Sequence, residues 1–361
     1  MNHIRALTCF LNPRKWGINE LRNYLEERFS RLKEALDIFL EKHSVRLWTF
    51  RIALPYTPHD VNLEDIAKLV EELAEIYNID FISAIHLREK DHRITGLADI
   101  LESYERVFAS IKVDTASEAL KVSKIYNSIE GFAGAKLAIH VGPELITPYF
   151  PLAKNVLATE GLSLTSFVIN ELKNAIKKRS RSELVEVFKE AERFGIEFSK
   201  EANISYFGVD TSPSPWMDLS IAEVIELASG SCFGEYGTHW GISRIMNLIK
   251  ETAAKVNIRT TGFNEIMLPL AEDNLLKVRA VEGKYGVKDL LSYISVCVSG
   301  LDMVPVAKPL NYKVIAKLIL DLKSLAEVKG RSLGLRLIPI TADPGSIIEL
   351  KMFGKVPVLK L

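Results

Sequence analysis

The sequence predicts a single α/β unit of about ten strands separated mostly by helices. Two observations predict this class: apolar, β-branched segments of strand length recur along the whole chain, and amphipathic segments of helix length lie between them. No linker rich in glycine, serine or proline interrupts the alternation, so we expect residues 1–361 to form one domain. The alternation alone allows either an eight-stranded α/β barrel or a doubly wound sheet.

Five strands are predicted in the first half of the chain, and helices follow most of them. The strands are residues 4–11, 45–54, 79–87, 105–113 and 135–141. A long helix after Gly17 is predicted by apolar residues that recur every three or four positions. Asn62 is expected to cap the helix after the second strand, and Thr115 with Glu118 forms a capping-box pattern before a later helix.

The second half of the chain alternates less regularly. Helices are predicted at 164–178, 181–194 and 311–329, and strands at 204–209, within 258–270, at 294–306 and at 333–340. Ser220 and Thr238 are expected to cap two further helices. Residues 347–350 and 356–359 predict a closing two-stranded ribbon.

The composition argues against several classes of protein. The chain has 46 Lys and Arg against 46 Asp and Glu and shows no basic stripe, so we expect no nucleic-acid partner. The longest uncharged run, residues 290–301, is too short to span a bilayer, and the first residues do not have a signal-peptide pattern. Three widely spaced cysteines favour a reducing cytoplasm. The absence of glutamine beside abundant Glu and Lys is typical of a thermophile.

The predicted strand at 294–306 leads into a polar stretch. Ile294, Val296 and Val298 are β-branched and apolar, as in a strand covered on both faces, whereas Ser299 and Asp302 interrupt the run. A carboxylate at such a place must be hydrogen-bonded, paired, bound to a metal or placed at a cavity mouth, because burying it alone is very costly.

Several short motifs, mostly in the second half, occur in an order that resembles one known family. They are Cys297-Val-Ser-Gly-Leu-Asp-Met303 with Val304-Pro305-Val306, Phe207-Gly-Val-Asp210 with Ser214-Pro215, Asp218-Leu-Ser-Ile-Ala-Glu223, Gly234 to Thr238, Arg336-Leu-Ile-Pro339 and Phe353 to Val358. In this order they resemble the uncharacterised family called domain of unknown function 711, or uncharacterised protein family 0210. The likeness covers most of the chain and is strongest after residue 200.

This resemblance implies a single barrel of about ten strands, similar to the barrel of pyruvate formate-lyase-type glycyl radical enzymes. It does not imply their chemistry. Those enzymes resemble one another in an Arg-Val-x-Gly radical loop near the C-terminus, and nothing after residue 330 matches it. Arg93-Ile-Thr-Gly96 is a loose likeness in the wrong half of the chain. We therefore expect no glycyl radical.

Four residues near predicted strand or helix ends are candidates for catalysis: Asp210, His239, Glu265 and Asp302. In a barrel, side chains just beyond the strand ends face a common opening. Carboxylates that converge there could bind a divalent cation or act as general acid and base, and His239 could be an acid, a base or a ligand. Each could instead cap a helix, bond nearby backbone or pair with an arginine.

A second group of residues is predicted to bind a small anion: Arg51, Ser212, Ser214, Thr238, Ser299 and Arg336. An arginine within a strand needs an anionic partner, so it could hold a substrate carboxylate bidentately or pair internally with one of the candidate carboxylates. Hydroxyl and backbone N–H groups before helices could cradle a carboxylate or phosphate, although plain helix capping uses the same residue types.

Together these features predict a non-radical enzyme of unknown reaction that acts on a small anionic metabolite. The alternative is a non-catalytic ligand-binding or regulatory protein, since convergent polar groups do not distinguish binding from turnover. Apolar helical faces also allow a homo-oligomer. No cofactor is predicted beyond the divalent cation that the carboxylates could hold.

Overall fold

The computed structural model describes residues 3–43 and 45–361, which form eleven strands and thirteen helices. The strands are β1 His3–Phe10, β2 Arg46–Ala53, β3 Phe81–Arg88, β4 Val107–Lys112, β5 Leu137–Val141, β6 Gly161–Ser166, β7 Ser205–Val209, β8 Gly300–Ala307, β9 Leu333–Ile340, β10 Ile347–Glu349 and β11 Lys355–Pro357. The helices are α1 Ile18–His43, α2 Leu63–Ile76, α3 Leu97–Ser103, α4 Ala116–Val122, α5 Ile125–Ser128, α6 Phe132–Ala135, α7 Ile169–Lys178, α8 Ser182–Glu201, α9 Ile221–Ser229, α10 Thr238–Val256, α11 Asn274–Val281, α12 Val287–Cys297 and α13 Tyr312–Lys329.

Nine of the strands form one mixed sheet in the order β7-β6-β1-β2-β3-β4-β5-β9-β8. Strands β1 to β5 are parallel to one another, as are β6 with β7 and β8 with β9. The set β1 to β5 meets the remaining strands in two antiparallel pairs, β1 with β6 and β5 with β9. The prediction of an α/β fold is confirmed, whereas nine strands with two antiparallel junctions do not fit an eight-stranded parallel barrel.

The two edge strands of this sheet, β7 and β8, are hydrogen-bonded to the same segment, residues 259–269. On one side Val209 N donates to Arg259 O at 2.8 Å. On the other side Ile266 N donates to Cys297 O, and Ser299 N donates to Ile266 O, both at 3.1 Å and just before β8, while Pro269 forms a bridge with Asp302 of β8. These contacts are isolated parallel bridges, at Thr260, Ile266 and Pro269, rather than a continuous ladder. Both edges are therefore occupied by one stretch of chain.

The connection between β5 and β6 is buried although it has no regular secondary structure. All nine residues from 147 to 155 are buried. Thr8 of β1 donates to Pro148 O and Ser83 of β3 donates to Pro151 O, both at 3.0 Å, so the segment is held against the side chains of two strands. Two of its carbonyl groups are satisfied in this way, and Asn155 N donates to Leu54 O at 3.1 Å, since a buried loop needs partners for its backbone polar groups. The segment therefore packs against the sheet.

The predicted helix starts are confirmed in three cases, one of them without the predicted capping bond, and displaced by one residue in the fourth. Asn62 accepts hydrogen bonds from Glu64 N and Asp65 N at the start of α2, and Ser220 accepts from Glu223 N at the start of α9. Thr115 makes no capping bond, because its hydroxyl donates to Glu89 at 2.8 Å. The cap of α10 is Gly237, one residue before Thr238.

Three predicted elements are wrong in kind. The segment 258–270, predicted to contain a strand, forms only isolated bridges. Residues 161–166 form strand β6, so the helix predicted at 164–178 begins only at Ile169. The strand predicted at 294–306 is the end of α12 followed, after two residues, by β8. Gly300 begins β8 with φ 141°, and a Cβ there would lie 2.1 Å from Gly334 O, so this residue must be glycine for β8 and β9 to pair. The predicted closing ribbon is confirmed as β10 and β11.

Candidate functional site

A cavity of about 380 Å³ is lined by strands β1 to β5, by β8 and β9, and by the buried β5–β6 connection. Its volume is at the lower end of the range for small-molecule sites. Aromatic rings dominate its wall: Trp48, Phe81, Phe108, Phe132, Tyr149, Phe150, Trp216, Phe263 and Phe353. Its charged side chains are three arginines and three carboxylates: Arg5, Arg51, Arg336, Asp80, Glu272 and Asp302. We call this space the inner cavity.

Four of these charges form an alternating chain of ion pairs. Arg5 donates to Glu272 at 3.1 Å, Arg336 lies 3.5 Å from the other oxygen of Glu272, and Arg336 Nε donates to Asp302 at 2.6 Å. Burial raises the pKa of Glu272, while Arg336 and Arg5 oppose that shift. Burial works against the charge of Arg336, yet Asp302 and Glu272 raise its pKa above the ordinary value. The structure therefore contains an internal Arg336–Asp302 ion pair, which is the alternative to anion binding that the sequence left open.

Arg51 differs from the other two arginines because no carboxylate of residues 3–43 or 45–361 lies within salt-bridge distance of it. Its Nε donates to Thr49 Oγ1 at 2.9 Å, and its guanidinium lies 5.6 Å from the ring centre of Phe81 and 5.3 Å from that of Phe150. The side chain is buried, with 8% of the residue's surface exposed. Burial, and next the nearby charge of Arg5, lower the pKa of Arg51 to about 10. Its two terminal nitrogens are thus available to an anion in the cavity.

Four of the predicted binding or catalytic residues line this cavity beside Arg51: Ser214, Ser299, Asp302 and Arg336. Asp302 is half-buried, and it lies in β8 next to Arg336 of β9. The parallel pairing of these strands brings residues that are 34 positions apart within hydrogen-bond distance. Four of the six residues predicted to bind an anion therefore lie in the wall of one cavity, together with Asp302 of the predicted catalytic set.

Asp210 does not line the inner cavity. It is buried, and its carboxylate accepts five hydrogen bonds: from Ser212 N at 3.0 Å, Ser212 Oγ at 2.5 Å, Thr147 Oγ1 at 3.0 Å, Phe263 N at 2.9 Å and Asn264 N at 3.1 Å. Burial raises the pKa of Asp210, and these donors oppose the shift. The carboxylate therefore ties together three segments that carry Tyr149, Ser214 and Phe263 into the cavity wall.

Ser212 belongs to the same set of bonds. Its hydroxyl accepts from Glu265 N at 3.1 Å in addition to donating to Asp210, so it serves the fold rather than a ligand. Asn264 belongs to the same network, because its Oδ1 accepts hydrogen bonds from Thr211 N and Thr211 Oγ1. A Cβ at Gly262, whose φ is +85°, would lie 1.9 Å from the Asp210 carboxylate, so the backbone can wrap the carboxylate only with glycine there.

Glu265 lies in a separate buried ion pair. Both of its oxygens are 3.0 Å from Lys329 Nζ, and one lies 3.7 Å from Arg331. Cys297 Sγ approaches it at 3.8 Å. Burial raises the pKa of Glu265, and Lys329 opposes the shift. These contacts satisfy the carboxylate locally, and it does not face the inner cavity.

His239 and Thr238 lie at the start of α10, also outside the inner cavity. His239 is exposed, with Ser292 Oγ 3.3 Å from its Nε2 and the Tyr293 ring at 4.9 Å. The Thr238 hydroxyl donates to Glu235 O and accepts from Gly234 N, which closes a local turn. The expectation that Asp210, His239, Glu265 and Asp302 face one opening is therefore wrong, because Asp302 alone of these four lines the cavity.

Within residues 3–43 and 45–361, no group of three or more His, Cys, Asp or Glu side chains is arranged to hold a metal ion. In the same ranges, no helix is both long enough and apolar enough to cross a membrane. The charged groups of the inner cavity alternate in sign, which suits recognition of an organic ion better than coordination of a cation.

A second buried polar cluster surrounds Lys154, at the end of the β5–β6 connection. Its ammonium lies 2.8 Å from Glu144, 3.0 Å from His140 Nδ1 and 4.7 Å from the ring centre of Tyr56. His140 Nε2 lies 3.1 Å from Pro143 O. Burial, with Lys154 next, holds the pKa of His140 well below its ordinary value, so the neutral ring accepts from the lysine. Burial also lowers the pKa of Lys154 to about 8.

This shift predicts a pH-dependent stability. The pKa of Lys154 is about 8 in the folded protein against an ordinary value of 10.5, so between these values the unfolded chain binds more protons and stability rises with pH. From about pH 8 to about pH 9.5 we expect the free energy of unfolding to rise by about 1–2 kcal/mol more in the wild type than in Lys154→Met. Denaturant titrations at several pH values measure this difference, with exposed Lys177→Met as the control. An equal dependence of the unfolding free energy on pH in all three proteins would contradict the prediction.

Sequence reasoning missed Glu272, Trp48 and Trp216 as residues of the site. Glu272 lies in a short turn before α11, not at the end of a strand, so the rule about strand ends did not select it. Arg5 is recognisable in the sequence as a charged residue inside an apolar strand. The signal for the others is weaker, because an isolated Trp or Glu in a loop has no characteristic spacing.

Comparison with known proteins assigns the chain to a family. A family model described as "Uncharacterised ACR (DUF711)" matches residues 2–351. A UPF0210 protein of Sulfurisphaera tokodaii is 26% identical over 398 residues, covering 100% of this chain and 88% of the relative. A UPF0210 protein of Pyrobaculum arsenaticum is 26% identical over 402 residues, covering 99% and 89%.

The similarity extends to Methanococcoides burtonii, whose UPF0210 protein is 23% identical over 387 residues, covering 95% of this chain and 84% of the relative. Relatives from thermophilic archaea fit the thermophile-like composition. Because the family model spans residues 2–351, this chain belongs to the uncharacterised DUF711 family, as the ordered motifs of its second half predict.

Proposed function

We propose that the inner cavity binds a small organic anion through Arg51 and that the protein is a non-radical enzyme acting on it. The observation that carries the proposal is the buried Arg51 guanidinium, which faces the cavity with no carboxylate of residues 3–43 or 45–361 within salt-bridge distance. A buried charge without a partner is costly, so a protein retains one where a ligand supplies the counter-charge. The ligand group that suits two parallel N–H donors is a carboxylate or a phosphate.

The other charges of the cavity favour a ligand with one anionic group at Arg51. Arg5, Glu272, Arg336 and Asp302 carry two positive and two negative charges and are joined by three ion pairs in a chain. Asp80 is exposed and its carboxylate accepts from Phe50 N at 2.7 Å, so it lies at the rim. The aromatic wall then contacts the uncharged body of the ligand.

Asp302 and Glu272 are the groups proposed to move protons. Asp302 is partly open to the cavity, and Arg336 holds one of its oxygens, while the other accepts no hydrogen bond from residues 3–43 or 45–361 and can face a ligand. Glu272 has its pKa raised by burial, which brings a carboxyl group closer to the range useful for a general acid. Two carboxyl groups in different surroundings can divide the acid and base roles.

A closed barrel is the architecture that we propose for the sheet. The support is that residues 259–269 hydrogen-bond to both edge strands, which would make this segment a tenth strand between β7 and β8. Five parallel strands on each side of the antiparallel junctions would then surround the buried 147–155 segment. This arrangement is the one implied by the likeness to pyruvate formate-lyase-type barrels, without their radical chemistry.

Turnover is tested by incubating the protein with a mixture of small carboxylates and monophosphates and following each compound by mass spectrometry. We expect one compound to be consumed, and Asp302→Asn to slow its consumption at least about 100-fold, because a positioned general acid or base contributes that much. The ligand-induced rise in melting temperature should persist in Asp302→Asn. Exposed Asp321→Asn on α13 is the control and should keep the full rate.

The result also separates the enzyme from the rival class. A ligand that raises the melting temperature but is not consumed would support a non-catalytic binding or regulatory protein. Consumption that is unchanged in Asp302→Asn would contradict the role given to this carboxylate.

A further inference from the structure

A second cavity adjoins the inner one, and two tryptophans belong to the walls of both. This outer cavity has a volume of about 550 Å³ and is bounded by the end of α1, the start of β2, the start of α7 and the middle of α8. Trp48 and Trp216 line both cavities, and their ring centres are 4.7 Å apart at an angle of 58°. This pair of indole rings therefore separates the two cavities.

Arg5 and Phe167 connect the two cavities at the same place. The Arg5 guanidinium lies 5.0 Å from the ring centre of Trp48 and 5.0 Å from that of Phe167. Arg5 lines the inner cavity, whereas Phe167 lines the outer one. Arg5 is buried, and its Nε has no hydrogen-bond partner within residues 3–43 and 45–361. The boundary is thus made of stacked flat groups, which can move apart without breaking a backbone ladder.

The outer cavity differs from the inner one in charge and polarity. Its floor is apolar, with contributions from Ile4, Phe39, Leu47, Ile169, Val187 and Phe194. Its charged groups include three carboxylates against two guanidinium groups, and the pair of His43 with Glu197, at 3.6 Å, lies at its side. An anionic head is therefore favoured beside Arg51 and disfavoured in the outer cavity, whereas an apolar tail is favoured there.

From this geometry we infer that the ligand is an elongated amphipathic anion, with its carboxylate or phosphate at Arg51 and an apolar chain that passes Trp48 and Trp216 into the outer cavity. This inference rests on the proposed function, because it takes the anion at Arg51 as one end of the molecule. Trp48, which is 39% exposed, and Trp216 then determine the length of chain that the site accepts. The two cavities together act as one bent binding site.

The test measures affinity for straight-chain carboxylates from butanoate to decanoate, and for the matching alkyl phosphates, by tryptophan fluorescence and calorimetry. We expect affinity to rise about fourfold for each methylene that enters the outer cavity. Asn170→Trp adds an indole at an exposed position that lines the outer cavity and not the inner one, so it should abolish this rise while leaving butanoate binding unchanged. The control is Asn127→Trp, at an exposed asparagine outside both cavities.

The outcomes separate this inference from the proposed function. Binding that depends on Arg51 but not on chain length, or a length dependence that persists in Asn170→Trp, overturns the inference alone. Binding of all probes that is indifferent to Arg51→Met overturns the proposed function and the inference with it. A preference between the carboxylate and phosphate series identifies the head group.

Discussion

Asp210→Ala is expected to destabilise the protein by about 4 kcal/mol or more. The substitution leaves five buried or half-buried donors without an acceptor, namely Ser212 N, Ser212 Oγ, Thr147 Oγ1, Phe263 N and Asn264 N. Each unsatisfied buried donor costs about 1–3 kcal/mol, although relaxation and water reduce the sum. A loss of this size is a large part of the stability of an ordinary domain. Denaturant unfolding at neutral pH measures it.

Two further variants separate the lost hydrogen bonds from the lost side chain. Asp210→Asn keeps the size but turns an NH₂ group toward donors that need an acceptor, so it should also destabilise strongly. Asp60→Ala removes an exposed carboxylate and should change stability by less than about 0.5 kcal/mol. If Asp210→Ala were no more destabilising than Asp60→Ala, Asp210 would not be the link among its three segments.

Arg51→Met is expected to weaken anion binding strongly without lowering stability. A bidentate contact to a charged group is worth about 1.5–3 kcal/mol, so affinity should fall about 10-fold to 150-fold. The guanidinium is buried without a carboxylate partner in the described part of the chain, and burial lowers its pKa to about 10, so its removal relieves a cost to the folded state. The melting temperature should therefore stay the same or rise. Calorimetric titration with hexanoate and thermal unfolding give the two readouts.

The matched variants are Arg51→Lys and Arg14→Gln. Lysine keeps the positive charge but lacks the planar pair of N–H donors. Arg51→Lys should therefore bind the anion more weakly than the wild type and more tightly than Arg51→Met. Arg14 is exposed and outside both cavities, so Arg14→Gln should bind as the wild type does. A strong loss of stability in Arg51→Met with unchanged binding would mean that Arg51 serves the fold.

The regular strands and long helices could be predicted because their local patterns agree with their final surroundings. Strand β9 and helix α1 are examples, since each has an apolar period that matches its burial. Residues 294–306 could not be predicted, because a short apolar run is compatible with a buried helix and with a buried strand. Here Cys297 ends a helix, and the strand begins only at the close approach of Gly300 to Gly334.

The site could be predicted where chemistry is visible within a single segment. Arg51 and Arg336 are charged residues inside apolar strands, and this conflict marked them before their positions were known. The local patterns do not show which carboxylate is satisfied by backbone donors. Three of the five donors to Asp210, and the Lys329 partner of Glu265, lie 53 to 64 positions away in the chain, so only the packing of distant segments reveals them.

The central claim is that an anion occupies the inner cavity against Arg51. It is tested most directly by the electron density and bromine anomalous signal of crystals soaked in 6-bromohexanoate. We expect the carboxylate within about 3 Å of the Arg51 terminal nitrogens and the bromine on the side of Trp48 and Trp216. A carboxylate bound elsewhere, or a cavity that holds only water at saturating ligand, would contradict the account.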